Sequence, residues 1–392
     1  MKFIHTSDLH LGKKIANFSL VEDQSHMMNQ LFDRATSHNV DAVVVAGDVF
    51  DTVTPPDYAT RLWDDFLTRM SLTGIPVLVV SGNHDSGARL GCGSRLFSQT
   101  GIHIAGELAG QIEPVSVAGV NFWLVPFVRP SDVRAWAALQ GNEKISLTSY
   151  EEAFGYLITS VRSHPAFAKA SNVCVAHQFI TAGSTKPQLS ESERGGFGPS
   201  VGTLDNIDAS VFDGFAYVAL GHIHAPQSIG CSTVRYSGTP LKYSSSEACQ
   251  NKSFVLVDIA QSGAVCYTLL PVGALHDFRV VTGSLDELQQ IAAAQSPQEQ
   301  EDFVQVQVVE DNPVDVVARI KRMWPRYAGI TVQSSHGPTI SSVAAPSQEK
   351  LEKSSLKELF SDFFVHQLGK HLSPDEEALV AQAFAQSSKE LI

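Results

Sequence analysis

Phe215-Ala-Tyr-Val-Ala-Leu-Gly-His-Ile-His224 is the stretch on which the fold turns. Phe215 to Leu220 is a short apolar run of the kind that forms a buried strand, and it ends in Gly221 followed by two imidazoles two residues apart. In extended backbone, residues i and i+2 point the same way. His222 and His224 are therefore candidate nitrogen ligands for a transition metal. An isolated His-x-His is more often a pair of ordinary surface or core histidines, so the reading depends on whether other parts of the chain supply matching ligands.

Four earlier runs end the same way. Lys2-Phe-Ile-His-Thr-Ser7 leads into Asp8-Leu-His10, Asp41-Ala-Val-Val-Val-Ala-Gly47 into Asp48-Val-Phe-Asp51, Ile75-Pro-Val-Leu-Val-Val80 into Ser81-Gly-Asn-His-Asp85, and Asn172-Val-Cys-Val-Ala176 into His177. Helical patterns from about Glu22 to His38 and from Pro55-Pro56 to about Met70 separate the first three. Strands alternating with helices predict a layered α/β domain. In such folds ligands gather at the carboxyl ends of the strands, where loops carry polar groups that the strands hold in place. Gly47 and Gly82 fit tight turns before a ligand, and are equally consistent with plain turn glycines.

With 392 residues the chain is expected to form two or three domains, and 43% hydrophobic against 18% charged residues describes a globular protein with a sizeable core. A net charge of −13 does not suit a generic nucleic-acid coat, but it leaves room for a nucleic-acid enzyme with a local basic groove. The five cysteines, Cys92, Cys174, Cys231, Cys249 and Cys266, have no C-x-x-C spacing, which points to a reducing compartment. The start lacks the apolar core of a signal peptide and no later run suits a bilayer span, so a soluble cytoplasmic protein without membrane attachment is expected.

Further along, Ile112–Val117 and Val120–Pro126 read as a hairpin turning at Ala118-Gly119, residues 129–165 as mostly helical, and 181–202 as a polar loop. Strands expected at Thr233–Tyr236, Ser253–Ile259 and Val265–Leu270 would close a second sheet, with the domain boundary near Gly273. Residues 273–335 read as a β-α-β-α-β capping domain and 336–353 as a linker. Residues 354–392 read as a helical hairpin. Its first helix has the apolar stripe Leu356, Leu359, Phe360, Phe363, Phe364 and Leu368; its second opens with a capping box at Ser373-Pro-Asp-Glu376. The hairpin could dock on this chain or on a partner.

Asp8, His10, Asp48, Asn83, His177, His222 and His224 together make seven oxygen and nitrogen ligands and no thiolate. This excludes a cysteine zinc site and favours manganese, iron or zinc in a hydrolytic centre. Seven side chains exceed the needs of one ion and suit two. Two ions about 3.5–4 Å apart activate a bridging water and stabilise displacement at phosphorus. Asp48, in the middle early motif, is the expected bridging carboxylate. His84 would face the substrate and stabilise phosphate charge or protonate the leaving alkoxide, unless it is a structural histidine. Asp51 would orient that imidazole through its carboxylate, unless it caps the following helix. Asp85 reads as a turn or cap residue.

The ordered motifs D-x-H, G-D-x-x-D, G-N-H-D, a later His and G-H-x-H resemble those of the calcineurin-like metallophosphoesterases. Thr6-Ser-Asp-Leu-His-Leu-Gly12, Gly47-Asp-Val-Phe-Asp51, Tyr217 to Gln227 and Tyr236-Ser-Gly-Thr-Pro240 further resemble the SbcD-type nuclease subunits of bacterial SbcCD complexes. The resemblance implies a two-sheet layered core flanked by helices, with a small α/β capping domain and a C-terminal helical hairpin. It also implies a Mn2+-dependent 3′-to-5′ exonuclease and single-strand endonuclease, acting on DNA ends and hairpins in repair, recombination and replication, in the cytoplasm at the nucleoid.

By the same resemblance, one ion takes Asp8, His10, Asp48 and His224, the other takes Asp48, Asn83, His177 and His222, and His84 is the catalytic histidine. The His222 and His224 rings would thus serve different ions. The implied partner is an SbcC-type coiled-coil ATPase bound through the terminal hairpin, with two copies of this chain in a heterotetramer. The dimer helices map to about Pro56–Met70 and Ser86–Gln99, where Tyr58, Leu62, Trp63 and Phe66 form a stripe that either meets a second copy or packs on the sheet. Lys13, Lys14, Arg89, Arg95, Lys186 and Arg194 lie in or near the ligand-bearing loops and are candidate DNA phosphate contacts.

Two rival readings fit the same residues. One is a metallophosphatase or phosphodiesterase for small molecules or proteins on the same site; the other is an architectural binding protein with a vestigial site.

Overall fold

The computed structural model describes residues 1–195, 206–309 and 316–333, together with positions 377 and 380, which are both helical. Two compact units divide the chain: Met1–Val280 with Gln295–Gln305 and Trp324–Gly329, and Val281–Ala294 with Val306–Met323 and Ile330–Ile392.

The first unit is built on two six-stranded sheets. One runs in the order Val265–Pro271, Ser253–Ile259, Lys2–Thr6, Ala42–Ala46, Val77–Val80, Ile102–Ala105, and its last four strands are parallel. The other runs Gln227–Ile229, Cys231–Tyr236, Tyr217–Gly221, Ser171–His177, Val120–Val125, Val115–Val117, with its middle four parallel. Both faces of Ala42–Ala46, Val77–Val80, Val120–Val125 and Tyr217–Gly221 are buried, which is why they read as unbroken apolar runs rather than alternating ones.

Alternate residues divide between layers. Phe3, Val44, Leu78 and Val80 meet Phe122, Val173, Val175 and Tyr217 in one cluster between the sheets. Val43, Val45, Val77 and Val79 face the helices Val21–Ser37 and Asp57–Thr73 through Met27, Leu31, Trp63 and Phe66. Val125, Cys174, Val218 and Leu220 face Pro130–Leu139 and Tyr150–Ser163 through Trp136, Phe154 and Leu157. The layers are thus helix, sheet, sheet, helix. Each large side chain so buried contributes about 1.5–3 kcal/mol, enough to hold the strand ends rigidly for the loops they carry.

Three expectations are sharpened here. Of the strands expected to close the second sheet, only Cys231–Tyr236 joins it. Ser253–Ile259 returns to pair antiparallel with Lys2–Thr6, and Val265–Pro271 pairs with Ser253–Ile259 at the edge of the first sheet. An apolar run states that it is buried, not which sheet receives it. The Asp57–Thr73 stripe packs on its own sheet, with Trp63 and Phe66 buried and Tyr58 and Leu62 half-buried against the same cluster. The hairpin turn at Ala118-Gly119 is present with both residues at positive φ, 46° and 80°, the geometry of a tight two-residue turn that follows strand twist.

Beyond Gly273 the strands Phe278–Gly283, Phe303–Val309 and Tyr327–Gln333 form a three-stranded sheet in that order, with helices Leu285–Ala293 and Val316–Met323 between them. Ser284 caps the first of these helices, with Glu287 completing a capping box. Apart from positions 377 and 380, the expected linker and terminal hairpin lie outside the described residues. No helix among the described residues is long and apolar enough to cross a membrane.

Candidate metal centre

Five strand ends deliver the seven candidate ligands to one place in the first unit. Asp8 and His10 follow Lys2–Thr6, Asp48 follows Ala42–Ala46, Asn83 follows Val77–Val80, His177 ends Ser171–His177, and His222 and His224 follow Tyr217–Gly221. Asp8, His10, Asp48, His177 and His224 are buried, while Asn83 and His222 are half-buried.

The contacts form two overlapping sets, since ligand atoms of Asp8, Asp48 and His177 also lie within 4.8 Å of one another. On one side, ligand atoms of Asp8, His10 and His224 lie within 4.8 Å of one another, with the two Nε2 atoms of His10 and His224 3.1 Å apart. On the other, Asn83 Oδ1 lies 3.1 Å from His177 Nε2 and 2.8 Å from His222 Nδ1. Asp48 Oδ2 stands between the sets, 3.2 Å from His177 Nε2 and 3.8 Å from His10 Nε2.

Holding these groups together requires unusual backbone. Asp8, His10, Asp48 and His222 have φ of 53°, 44°, 49° and 102°, in the left-handed region that costs a non-glycine residue about 1–3 kcal/mol. The surrounding sheets supply the restraint. Close approach then demands glycine: a Cβ on Gly82 would lie 2.1 Å from Asp48 Oδ1, and one on Gly221 would lie 1.9 Å from the Ala46 carbonyl oxygen. Gly82 is there for proximity to Asp48 more than for a turn.

The donor set fits divalent cations. His177 Nδ1 donates to the Ala46 carbonyl at 2.8 Å, which aims Nε2 at two oxygen acceptors, Asp48 Oδ2 and Asn83 Oδ1. His10 Nδ1 lies 3.3 Å from Asp51 Oδ1, so its Nε2 also points inward, toward His224 Nε2. Acceptors facing acceptors need a proton or a cation between them. The electrostatics agree. Burial alone would lower the His177 pKa, yet the adjoining Asp48 carboxylate outweighs it and raises it to about 9. Burial opposes charge on Asp48, but the neighbouring imidazoles, His177 foremost, hold its carboxyl well below the ordinary range. Burial, followed by repulsion from His177, drops His222 to about 3, leaving it a neutral nitrogen ligand.

His84 sits beside the cluster, its ring 4.9 Å from that of His10. Its backbone N–H donates to Asp48 Oδ1 at 2.8 Å, and its Nδ1 donates to the Asp51 carbonyl at 2.9 Å, which leaves Nε2 for a substrate oxygen. This corrects the role expected of the Asp51 side chain. The backbone oxygen of Asp51 orients His84, while its carboxylate receives Lys13 Nζ at 2.7 Å and faces His10 Nδ1. A charged ammonium is the stronger attraction for that carboxylate. Although burial opposes ionisation, His10 and Lys13 hold the Asp51 carboxyl below its ordinary range.

The candidate DNA contacts differ in their surroundings. Lys13 is engaged by Asp51. Lys14, Arg89, Arg95 and Lys186 are exposed, Arg89 reaching the Val53 carbonyl and Thr54 Oγ1. The Arg194 side chain lies outside the described residues.

Several supporting residues are not assigned to the site from sequence, where Asp85 reads only as a turn or cap residue. Asp85 is a buried brace that accepts backbone N–H groups from Val49 at 3.1 Å, Phe50 at 2.9 Å and Gly82 at 2.9 Å, tying the Asp48 loop to the Asn83 loop. Burial and then the Asp48 charge push its carboxyl up to about 6 despite those donors. Behind His224 lie Ser192, Glu193, Glu247 and Lys252. Glu193 accepts the His224 backbone N–H, and Lys252 Nζ donates to Glu247 Oε2 at 2.6 Å. Only adjacency to a ligand marked Asp85, and Glu247 sits in a serine-rich loop indistinguishable from solvent-facing ones.

Comparison with known proteins accords with this geometry. Residues 274–367 match a family described as type 5 capsule protein repressor C-terminal domain. The SbcD component of the SbcCD nuclease of Staphylococcus epidermidis is 28% identical over 377 residues, covering 95% of each chain. Among solved structures, the E. coli phosphoesterase Yfce aligns over 70% of this chain and all of its own, at 12% identity and a TM-score of 0.26, a likeness too slight to bear on the fold. Residues 1–226, which carry every candidate ligand, match the calcineurin-like phosphoesterase family, and the chain belongs to it.

Proposed function

We propose that this chain is the nuclease subunit of an SbcCD-type complex, hydrolysing phosphodiesters in DNA at a two-metal centre. The observation that carries the reading is the inward convergence of seven ligand side chains in two sets about Asp48 Oδ2. Similarity to a nuclease subunit over nearly the full length of both chains supports a nucleic-acid substrate.

Asp8, His10, Asp48 and His224 would hold one divalent ion and Asp48, Asn83, His177 and His222 the other. When bound, manganese ions would supply an activated water and stabilise charge at phosphorus. The chain's own residues do the rest. The Asp51 carboxylate faces His10 Nδ1 at 3.3 Å, Ala46 orients His177, and Asp85 fixes the spacing between the Asp48 and Asn83 loops. His84, held through Nδ1 by the Asp51 carbonyl, presents Nε2 to the phosphate or to the departing 3′ oxygen, where a protonated ring donates to the alkoxide. Phe127 lies 6.5 Å from the His222 ring, nearly parallel to it.

Work with a coiled-coil ATPase partner, assembly as two copies in a heterotetramer, and phosphate contacts from Lys14, Arg89, Arg95, Lys186 and Arg194 complete the proposal. The boundaries at 272, 335 and 353, separating nuclease domain, capping domain, linker and partner-binding hairpin, belong to it as well. An end-labelled duplex incubated with manganese and the ATPase partner tests the function. Wild type should shorten the strand, Asp48→Ala should lose metal and cleavage, and His84→Ala should keep metal and lose turnover. Efficient hydrolysis of small phosphomonoesters by the chain alone, with DNA untouched in the complex, would favour a phosphatase instead.

A further inference from the structure

Glu247 is fully buried and belongs to no ligand loop, yet its carboxylate is saturated with donors. Oε2 accepts Lys252 Nζ at 2.6 Å and Thr239 Oγ1 at 2.9 Å; Oε1 accepts Ser244 Oγ at 2.9 Å and Ser192 Oγ in a close contact. Lys252 Nζ also donates to Thr239 Oγ1 at 2.6 Å, which turns the Thr239 hydroxyl proton toward Glu247.

A carboxylate paired with an ammonium has no proton to give, so the single Ser192 proton goes to Glu247. The Ser192 oxygen then has only lone pairs to offer its other neighbour, His224 Nδ1, 2.6 Å away. His224 must donate from Nδ1, and its Nε2 carries the lone pair that faces His10 Nε2. In neutral imidazole the partner of one nitrogen decides the chemistry of the other.

We infer that Glu247, acting through Ser192 and kept an acceptor by Lys252, is a positioning residue that locks His224 in the tautomer able to bind metal through Nε2. This deepens the proposed metal centre and rests on it. It also gives a purpose to a buried lysine–glutamate pair, which by itself contributes little net stability.

The test uses the full chain with 15N-labelled histidine, with two readouts. In the metal-free protein, long-range 1H–15N correlation should show His224 Nε2 as an unprotonated nitrogen in wild type and in Ser192→Thr, and a mixture of tautomers in Ser192→Ala. In manganese titrations by calorimetry, wild type should take up two ions, and Ser192→Ala should weaken one site by about 10–100-fold with the other unchanged. Ser245→Ala removes a neighbouring hydrogen bond to Glu191 between the same two loops and should change neither readout. Glu247→Gln, whose amide oxygen Lys252 would hold, turns an N–H toward Ser192 and should shift His224 toward the Nε2–H tautomer and weaken the same site; if it does not fold, Ser192→Ala and Ser192→Thr decide alone. Unchanged tautomer and affinity in Ser192→Ala would overturn the relay. A wild-type chain that shows the expected tautomer but takes up no manganese would refute the metal centre, and with it the purpose assigned to the relay.

Discussion

Replacing Asp85 by alanine should damage the protein out of proportion to its distance from any substrate. The carboxylate accepts three backbone N–H groups, two from the Asp48 loop and one from Gly82, and it is 8% exposed. Removing it strands three donors. Each unsatisfied buried N–H costs about 1–3 kcal/mol, and bonds to charged acceptors stand at the upper end. Water entering the space left behind would recover part, so the loss should be about 3–5 kcal/mol. At about 2 °C per kcal/mol for a large domain, Tm should fall by about 6–10 °C. Asparagine at 85 keeps one acceptor oxygen and should lose about half as much. Urea unfolding of the metal-free chain measures the stability change, and a manganese titration of the same samples should show weaker uptake because the Asn83 and Asp48 loops are no longer tied. A loss below 1 kcal/mol for Asp85→Ala, with full metal uptake, would refute the bracing role.

Gly82→Ala should abolish manganese uptake at the Asp48 bridge while leaving most secondary structure in circular dichroism, because the added Cβ would lie 2.1 Å from Asp48 Oδ1. In the metal-free chain the His177 pKa is raised to about 9, above the unfolded 6.5. Its contribution to stability is therefore complete below pH 6.5 and lost as pH rises through 9. Metal uptake has the opposite slope: it displaces this proton, so manganese affinity should rise between pH 6.5 and 9, with proton release visible in calorimetry across buffers of different ionisation enthalpy. Lys252→Met should destabilise by about 3–5 kcal/mol in urea unfolding, since it leaves the Glu247 charge buried without its ammonium partner.

The sequence announced this site because of where the ligands stand. Asp8, Asp48, Asn83, His177 and His222 each lie at or within a few residues of the end of an apolar run, and a parallel sheet brings such ends together whatever their separation in the chain. What stayed hidden depends on partners that only folding supplies. Asp51 could be recognised as belonging to the site, but nothing in its spacing shows that its carbonyl takes His84 while its carboxylate takes Lys13. Ser192 and Glu247 are 55 residues apart in polar loops and meet only behind His224. Ser253–Ile259 and Val265–Pro271 read as strands, but the choice of sheet is made by pairing with Lys2–Thr6, a contact across some 250 residues of chain.

The central claim is that two cations share Asp48. Anomalous scattering at the manganese edge from manganese-soaked crystals of the full chain tests it directly. Two peaks are predicted, one enclosed by Asp8, His10 and His224, the other by Asn83, His177 and His222, with Asp48 touching both. A single peak, or two that share no carboxylate from Asp48, would contradict the account.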